Sequence, residues 1–220
     1  MSNCRLCHSL GADSAANVWD KRVIESPNFV AVPSLGALVP GWVLLLPKKH
    51  HVAMGAVPSS ETAELREIKR ALVSRLGQAY GELCAFEHGP SGPGREVGCG
   101  VDHGHLHLLP LKFDLGAAVL PLLPRGVRWS EADLDDCKRA FEGGLDYLYL
   151  EQPLGRGRMA THERFGSQLF RRVIANHLGI DDEYNWRVYP KVENILSTVR
   201  TLQSLPAERS IGRVEIESVA

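Results

Sequence analysis

The sequence predicts an α+β fold. Three observations point there: short β-rich runs cut off by proline and glycine, one long segment with helically spaced apolar residues, and three histidines alternating along a further short run. A strand places successive side chains on opposite faces. In His103-Gly104-His105-Leu106-His107-Leu108-Leu109 the three imidazoles therefore share one face, and Leu106 and Leu108 take the other. Histidine titrates nearest neutrality and serves as base, nucleophile or metal ligand. Three on one strand face mark a place for chemistry.

The elements follow in order. Phe29-Val30-Ala31-Val32 is β-rich and Pro33 ends it. Pro40-Gly41 is a turn signal, Trp42-Val43-Leu44-Leu45-Leu46 fits a central strand, and Pro47 closes it. Residues 60–83 predict the one long helix. Ser59 or Ser60 can cap it, and Glu61 and Glu64 sit in its first turn. Leu65, Ile68, Leu72, Leu76, Ala79 and Leu83 form its apolar stripe. The charges Arg66, Glu67, Lys69, Arg70 and Arg75 lie mostly off the stripe and predict a solvated face. Cys84–Gly89 reads as a strand end, and residues 90–100, rich in glycine and proline, as a loop running into the histidines. Beyond Phe113, residues 130–141 predict a helix starting at Ser130, with Glu131 and Asp133 in its first turn. Residues 146–151 predict a strand and Gly155-Arg156-Gly157-Arg158 a flexible basic loop. Residues 167–178 predict a helix stopped by Gly179. The tail beyond Pro206 is weakly patterned. The chain thus divides into residues 1–112, carrying the motifs, and an α/β C-terminal extension over 113–220.

A hydrophobic content of 44% supports a real core, and a net charge of −1 gives no global attraction to nucleic acid or membranes. No run approaches the 18 or more apolar residues of a bilayer span. The N-terminus lacks the apolar core of a signal peptide. A cytoplasmic protein without a membrane partner is expected. Five cysteines, an odd number, favour reduced thiols or metal ligation over a disulfide framework.

Cys4-x-x-Cys7 has the spacing of half a metal site. A redox pair is disfavoured, because no strand precedes it. Cys4-x-x-Cys7-His8 also fits the c-type haem pattern, which normally follows export. If zinc is bound, His50 or His51 and His103 are the candidate partners. Lys48, Lys49, His50 and His51 form a basic cluster at a strand end, a position that favours an anionic ligand over plain solvation. The Gly89–Gly100 loop, placed before the histidines, fits a phosphate cradle, since glycines let backbone N–H groups approach an anion.

These residues resemble the histidine triad (HIT) superfamily. His103-Gly104-His105-Leu106-His107 matches its His-x-His-x-His signature, Trp42–His50 looks like its strand ending in Pro-Lys-x-His, and Cys4-x-x-Cys7 matches its zinc-binding members. The match covers residues 1–111 and looks closer to a zinc-binding bacterial or CwfJ-like branch than to the small nucleoside phosphoramidases. The resemblance implies an antiparallel sheet and a nucleotidyl hydrolase or transferase. His105 would attack the α-phosphate of a nucleotide conjugate, giving a covalent nucleotidyl-histidine, and His107 would contact the phosphate and assist the leaving group. A structural zinc would sit on Cys4, Cys7, His50 and His103. Gly98, Cys99, Gly100 and Glu87 would contact substrate. Family members often dimerise.

The departures fall on substrate selection. Phosphoramidases of the family carry Asn-Glu-Gly where this chain has Glu87-His88-Gly89, and Gln-Ser where it has Gly98-Cys99-Gly100. His107 is retained where the uridylyltransferase branch has glutamine, which favours hydrolysis. Gly166–Arg172, Asn185-Trp186-Arg187 and Glu193-Asn194 resemble extensions of bacterial HIT-like proteins, and Arg171, Arg172 and Arg187 could reach a phosphate. Two rival functions stand beside this one: a zinc enzyme whose triad ligates a catalytic metal, and a non-catalytic nucleotide- or RNA-binding module. A c-type haem protein is a distant third.

Overall fold

A computed structural model describes residues 4–11, 17–98, 100–153 and 156–205. Among these, eight strands form one antiparallel sheet: β1 (Ile24–Glu25), β2 (Phe29–Pro33), β3 (Val43–Pro47), β4 (Leu83–Gly89), β5 (Leu106–Pro110), β6 (Ser130–Glu131), β7 (Tyr147–Glu151) and β8 (Arg158–Thr161). Their order across the sheet is β1-β2-β3-β5-β4-β7-β8-β6. The helices are α1 (Arg5–Ser9), α2 (Thr62–Tyr80), α3 (Leu115–Val119), α4 (Leu134–Glu142), α5 (Leu169–His177) and α6 (Val192–Ser204). The expected α+β architecture is present. The extension continues the same sheet, because β7 pairs with β4 over five residue pairs, from Ala85↔Glu151 to Gly89↔Tyr147. No helix of the described residues is long and apolar enough to cross a membrane.

Strand alternation sorts the core into two faces. Ala31, Val43, Leu45, Ala85, Leu106, Leu108 and Tyr149 pack with Leu65, Ile68, Leu72 and Leu76 of α2 and Cys137 of α4. Burying a leucine such as Leu72 fully contributes about 1.5–3 kcal/mol. On the other face, Cys84, Phe86, Leu109, Leu148 and Leu150 pack under α3 and α5. Beside them Val30, Val32, Leu44 and Leu46 pack under Leu6 of α1. The seam between these last two groups falls at β5, where His107 pairs with Leu44 on one side and Phe86 on the other.

The local differences from expectation have physical causes. A single 3-10 turn, Ser59–Glu61, precedes α2, so Glu61 occupies the N-cap position and neither Ser59 nor Ser60 caps it. Helix α2 ends at Tyr80 before Gly81, whose φ is +79°, and Leu83 belongs to β4. Arg75 is buried rather than solvated: its Nη2 donates to the Leu202 carbonyl at 2.7 Å, in the last turn of α6, where a cation meets the negative helix end. Ser130 and Glu131 are strand, and α4 starts later because Asp133 forms a reciprocal capping box with Asp136. Pro40-Gly41 does turn the chain, with Gly41 at φ +84°. Arg158 begins β8 rather than extending a loop, and Arg156 pairs with Glu131 at 3.1 Å. Gly155, Cys99 and the tail beyond Pro206 lie outside the described residues.

Candidate active site and metal centre

The three histidines do not lie on one regular strand. Strand β5 begins at Leu106, so His107 is in the sheet while His103 and His105 precede it. Gly104 sits between them because nothing larger fits: a Cβ there would strike the Ala53 backbone and come within 2.7 Å of the Met54 nitrogen. The Gly104 N–H also donates to the His51 carbonyl at 2.6 Å. This close approach turns His103 away from its two neighbours.

His103 is fully buried and meets the N-terminal cysteines. Its Nδ1 lies 3.6 Å from Cys4 Sγ and 3.4 Å from Cys7 Sγ, and His50 Nδ1 lies 3.3 Å from Cys7 Sγ. All four donor atoms fall within 4.8 Å of one another. A tetrahedral zinc with ordinary Zn–S and Zn–N bonds sets its ligands about 3.3–3.8 Å apart; the three sulfur–nitrogen separations fall in that range, so the cluster is compatible with a metal site. His103 Nε2 faces the Pro47 carbonyl at 2.8 Å. With the proton on Nε2, donating there, Nδ1 is left for a metal, the usual outer-shell device for a ligating imidazole. Burial pushes His103 down to about 4, which keeps it in the neutral, ligating form. His50, not His51, joins the cluster. Lys48 pairs with Glu25 at 3.1 Å, so two of the four residues of the basic cluster, Lys48 and His50, are taken up by an ion pair and the Cys/His site.

His105 and His107 face the seam, with ring centroids 4.8 Å apart. His105 is partly open to solvent, and its Nδ1 lies 2.6 Å from the His103 carbonyl. A carbonyl only accepts, so Nδ1 carries the proton and, in the neutral ring, Nε2 carries a lone pair. His107 has the opposite tautomer. Trp42 Nε1 is a donor only and lies 2.9 Å from His107 Nδ1, so the proton of neutral His107 is on Nε2. The Phe86 ring stacks on His107 at 4.4 Å. Burial, aided by neighbouring positive charge, lowers His105 and holds His107 well below its ordinary value. Both are neutral at pH 7, one offering a lone pair and the other a donor.

A small cleft opens over this pair. It is lined by Arg5 and Leu6 from α1, Ser34, Leu35 and Leu44 from the β2–β3 region, Val101, His105, His107, and Arg171 and Trp186 from the extension. Val101 therefore reaches the cleft where Gly98 and Gly100 were expected. The carbonyls of those glycines are engaged by the extension: Ser167 Oγ donates to Gly98 at 2.9 Å and Arg187 Nη2 to Gly100 at 2.6 Å. Cys99 lies outside the described residues.

Glu87 is on the other face of the sheet from His107 and cannot reach the cleft. Its buried carboxylate accepts from the Met54 N–H and from Tyr147 Oη, each at 2.7 Å, and Tyr147 Oη accepts from the Gly55 N–H at 3.0 Å. The pair thereby clamps the turn against which Gly104 packs. Burial raises the Glu87 carboxyl from 4.5 to about 7. Below the lower value the group is protonated in both folded and unfolded chains. Between the two, only the unfolded chain releases its proton, so stability falls as pH rises through this window, by up to about 3 kcal/mol. Glu87→Gln is expected to remove that slope. Denaturant melts at pH 5 and 7.5 check it: the variant gains relative to wild type at the higher pH, and a difference independent of pH refutes the assignment.

Sequence reasoning missed two members of the site. His88, one strand residue past Glu87, lies on the His107 face with its ring centroid 6.5 Å from that of His107. It accepts the Phe170 N–H at 3.2 Å, and burial lowers it to about 3. Trp42 orients His107. Both required knowing which strands pair, although a polar tip on a buried tryptophan is itself a signal.

Residues 16–114 match the model of the HIT domain. No curated protein matches the chain. Among solved structures, similarity extends to a HIT family protein from Bacillus anthracis (19% identity, 51% of this chain and 76% of that one, TM-score 0.41). A HIT family hydrolase from Legionella pneumophila is 27% identical over 51% of this chain and 96% of its own, with a TM-score of 0.37. A Zn-bound histidine triad family protein from Mycobacterium smegmatis is 20% identical over 64% and 92%, with a TM-score of 0.39.

Proposed function

From the premise that this chain carries a HIT domain over residues 16–114, we propose that it is a nucleotidyl hydrolase or transferase, hydrolysis favoured, acting on the α-phosphate of a nucleotide conjugate. One observation carries the reading: the 2.6 Å contact of His105 Nδ1 with the His103 carbonyl, which leaves Nε2 as a lone-pair nucleophile in the cleft. Attack forms a P–N bond and breaks the bond from phosphorus to the leaving group, which departs with the electron pair. The positive charge that develops on His105 is shared through Nδ1–H with the His103 carbonyl. His107 Nε2–H donates to a phosphoryl or leaving-group oxygen. As a neutral imidazole it acts as a fixed hydrogen-bond donor, aligned in advance by Trp42 and Phe86. Water then attacks phosphorus, loses a proton to solvent, and releases His105 neutral.

Cys4, Cys7, His50 and His103 fit a zinc ion by spacing and donor type. Their zinc would hold α1 against the segment that bears His105, a structural role. The rival reading of a catalytic metal on the triad is disfavoured by the same geometry, since His103 turns to the cysteines and His107 Nδ1 faces Trp42.

The test is a quench experiment with a nucleoside phosphoramidate, a dinucleoside polyphosphate and an adenylylated conjugate. Mass spectrometry is expected to find a nucleotidyl group on His105 with at least one of them. No adduct and no turnover with any of the three refutes the reading.

A further inference from the structure

We propose that Arg5, carried by α1, binds a phosphate oxygen of the substrate in the cleft beside His105, with Asp20 as its partner at rest. The proposal rests on the nucleotidyl-transfer reading. It adds to that reading a residue from outside the matched HIT segment, delivered by the helix of the Cys/His cluster.

The root of Arg5 is fixed and its tip is not. Cys4 and Cys7, on either side, belong to the Cys/His cluster, and Leu6 packs on Leu44 and Leu46. The guanidinium has a looser hold. Asp20 Oδ1 lies 3.8 Å from Arg5 Nη2, outside hydrogen-bond range. The centre of the Trp186 ring lies 5.7 Å from Arg5 Cζ, at the outer limit of a cation–π contact. Asp20 is buried at the end of a 3-10 turn, Val18–Asp20. Its Oδ2 accepts from Asn17 Nδ2 at 3.0 Å, whereas its Oδ1 is buried without a hydrogen-bond partner. The ion pair therefore leaves both of its ends short of a hydrogen bond.

The arginines of the extension are tied differently. Arg171 Nε donates to the Tyr184 carbonyl at 2.9 Å and its Nη2 to the Gly36 carbonyl at 2.6 Å. Arg172 donates to the Ser167 carbonyl and Arg187 to the Gly100 carbonyl. Backbone acceptors hold these three side chains in place. The Arg5 guanidinium donates no hydrogen bond among the described residues. A side chain held by charge alone, across 3.8 Å, can turn to a new acceptor.

The new acceptor is an anion in the cleft. Arg5 lines that cleft together with His105 and His107, and among the described residues no carboxylate does. Asp20 thus holds the guanidinium from outside the cleft. With the Arg5 side chain 31% exposed, a stretched ion pair of this kind contributes little. A phosphate presents two oxygens that match the planar fork of a guanidinium at hydrogen-bond distance. Phosphoryl transfer spreads negative charge over the phosphoryl oxygens and the leaving group, where a cation stabilises it. Phosphate is therefore the stronger partner, and Asp20 its competitor.

The experiment reads binding to the full chain without turnover. Inorganic pyrophosphate is titrated calorimetrically into wild type, Arg5→Gln and Asp20→Asn. Arg5→Gln is expected to weaken binding by about 10-fold or more. Asp20→Asn, which removes the competing charge, is expected to tighten it by about 2- to 5-fold. If Arg5 only braces the turn that bears Asp20, the two variants shift binding in the same direction or not at all. Either result overturns the proposal, as does a wild type that ignores pyrophosphate. Should a variant fail to fold, the wild type decides. Its labelling by phenylglyoxal at Arg5, followed by mass spectrometry, must slow on adding pyrophosphate, and an unchanged rate overturns the proposal. A missing His105 adduct with pyrophosphate binding that depends on Arg5 refutes the transfer chemistry alone. An adduct with pyrophosphate binding independent of Arg5 refutes this inference alone.

Discussion

The His105→Asn protein is expected to fold as wild type does and to lose turnover by about 10⁴-fold or more. The asparagine amide nitrogen stands near the place of Nδ1 and can still donate to the His103 carbonyl, so the local backbone keeps its partner. The ring's second nitrogen, with its lone pair, is gone, and with it any route to a P–N bond. The loss falls on kcat, since the cleft and its cations are unchanged, and the melting temperature stays with wild type. Steady-state kinetics, thermal melts and mass spectrometry together check the expectation. Activity that survives the substitution but disappears with a chelator would instead assign catalysis to a metal. Nucleotide binding without turnover in either protein would make the chain a binding module.

Stripping metal from the Cys4, Cys7, His50 and His103 cluster, by chelation or by Cys7→Ser, is expected to give the largest loss of stability. A ligand present at about 1,000 times its dissociation constant stabilises the folded state by about 4 kcal/mol. For a chain of this size that corresponds to a drop in Tm of about 8–16 °C. Activity should fall less than in His105→Asn, because α1 still has Leu6 to pack against Leu44 and Leu46, but it should fall, because α1 brings Arg5 to the cleft. Elemental analysis should find one zinc per chain in the wild type and none in the variant. A melting temperature that ignores metal removal argues against a bound structural ion.

Much of this arrangement was legible in the residues. Alternation in β5 and the run Trp42–Leu46 pointed to the sheet, and Cys4-x-x-Cys7 with a histidine after Pro47 pointed to a metal clip. The choice of His50 over His51 was not legible, because it depends on a turn held by Gly104 and Ala53. Nor was the placement of Glu87. Strand parity puts it opposite Phe86, and only the register Phe86↔His107 shows that Phe86 owns the triad face. Arg75 looked solvated because helical spacing describes one apolar partner, whereas α2 also meets the end of α6. Arg171, Arg172 and Arg187 were indistinguishable as letters. Their tethers separate them.

The pairing of β4 with β7 bears on how the chain can be handled. A fragment cut where the family match ends, at residue 114, would present β4 with an unpaired row of five backbone positions and a buried carboxylate, Glu87, deprived of Tyr147. Open edges of that kind recruit other strands and lead to aggregation. The extension therefore acts as a built-in edge protector, and the sensible unit for expression, crystallisation or fusion runs past β8 rather than stopping at the recognised motif.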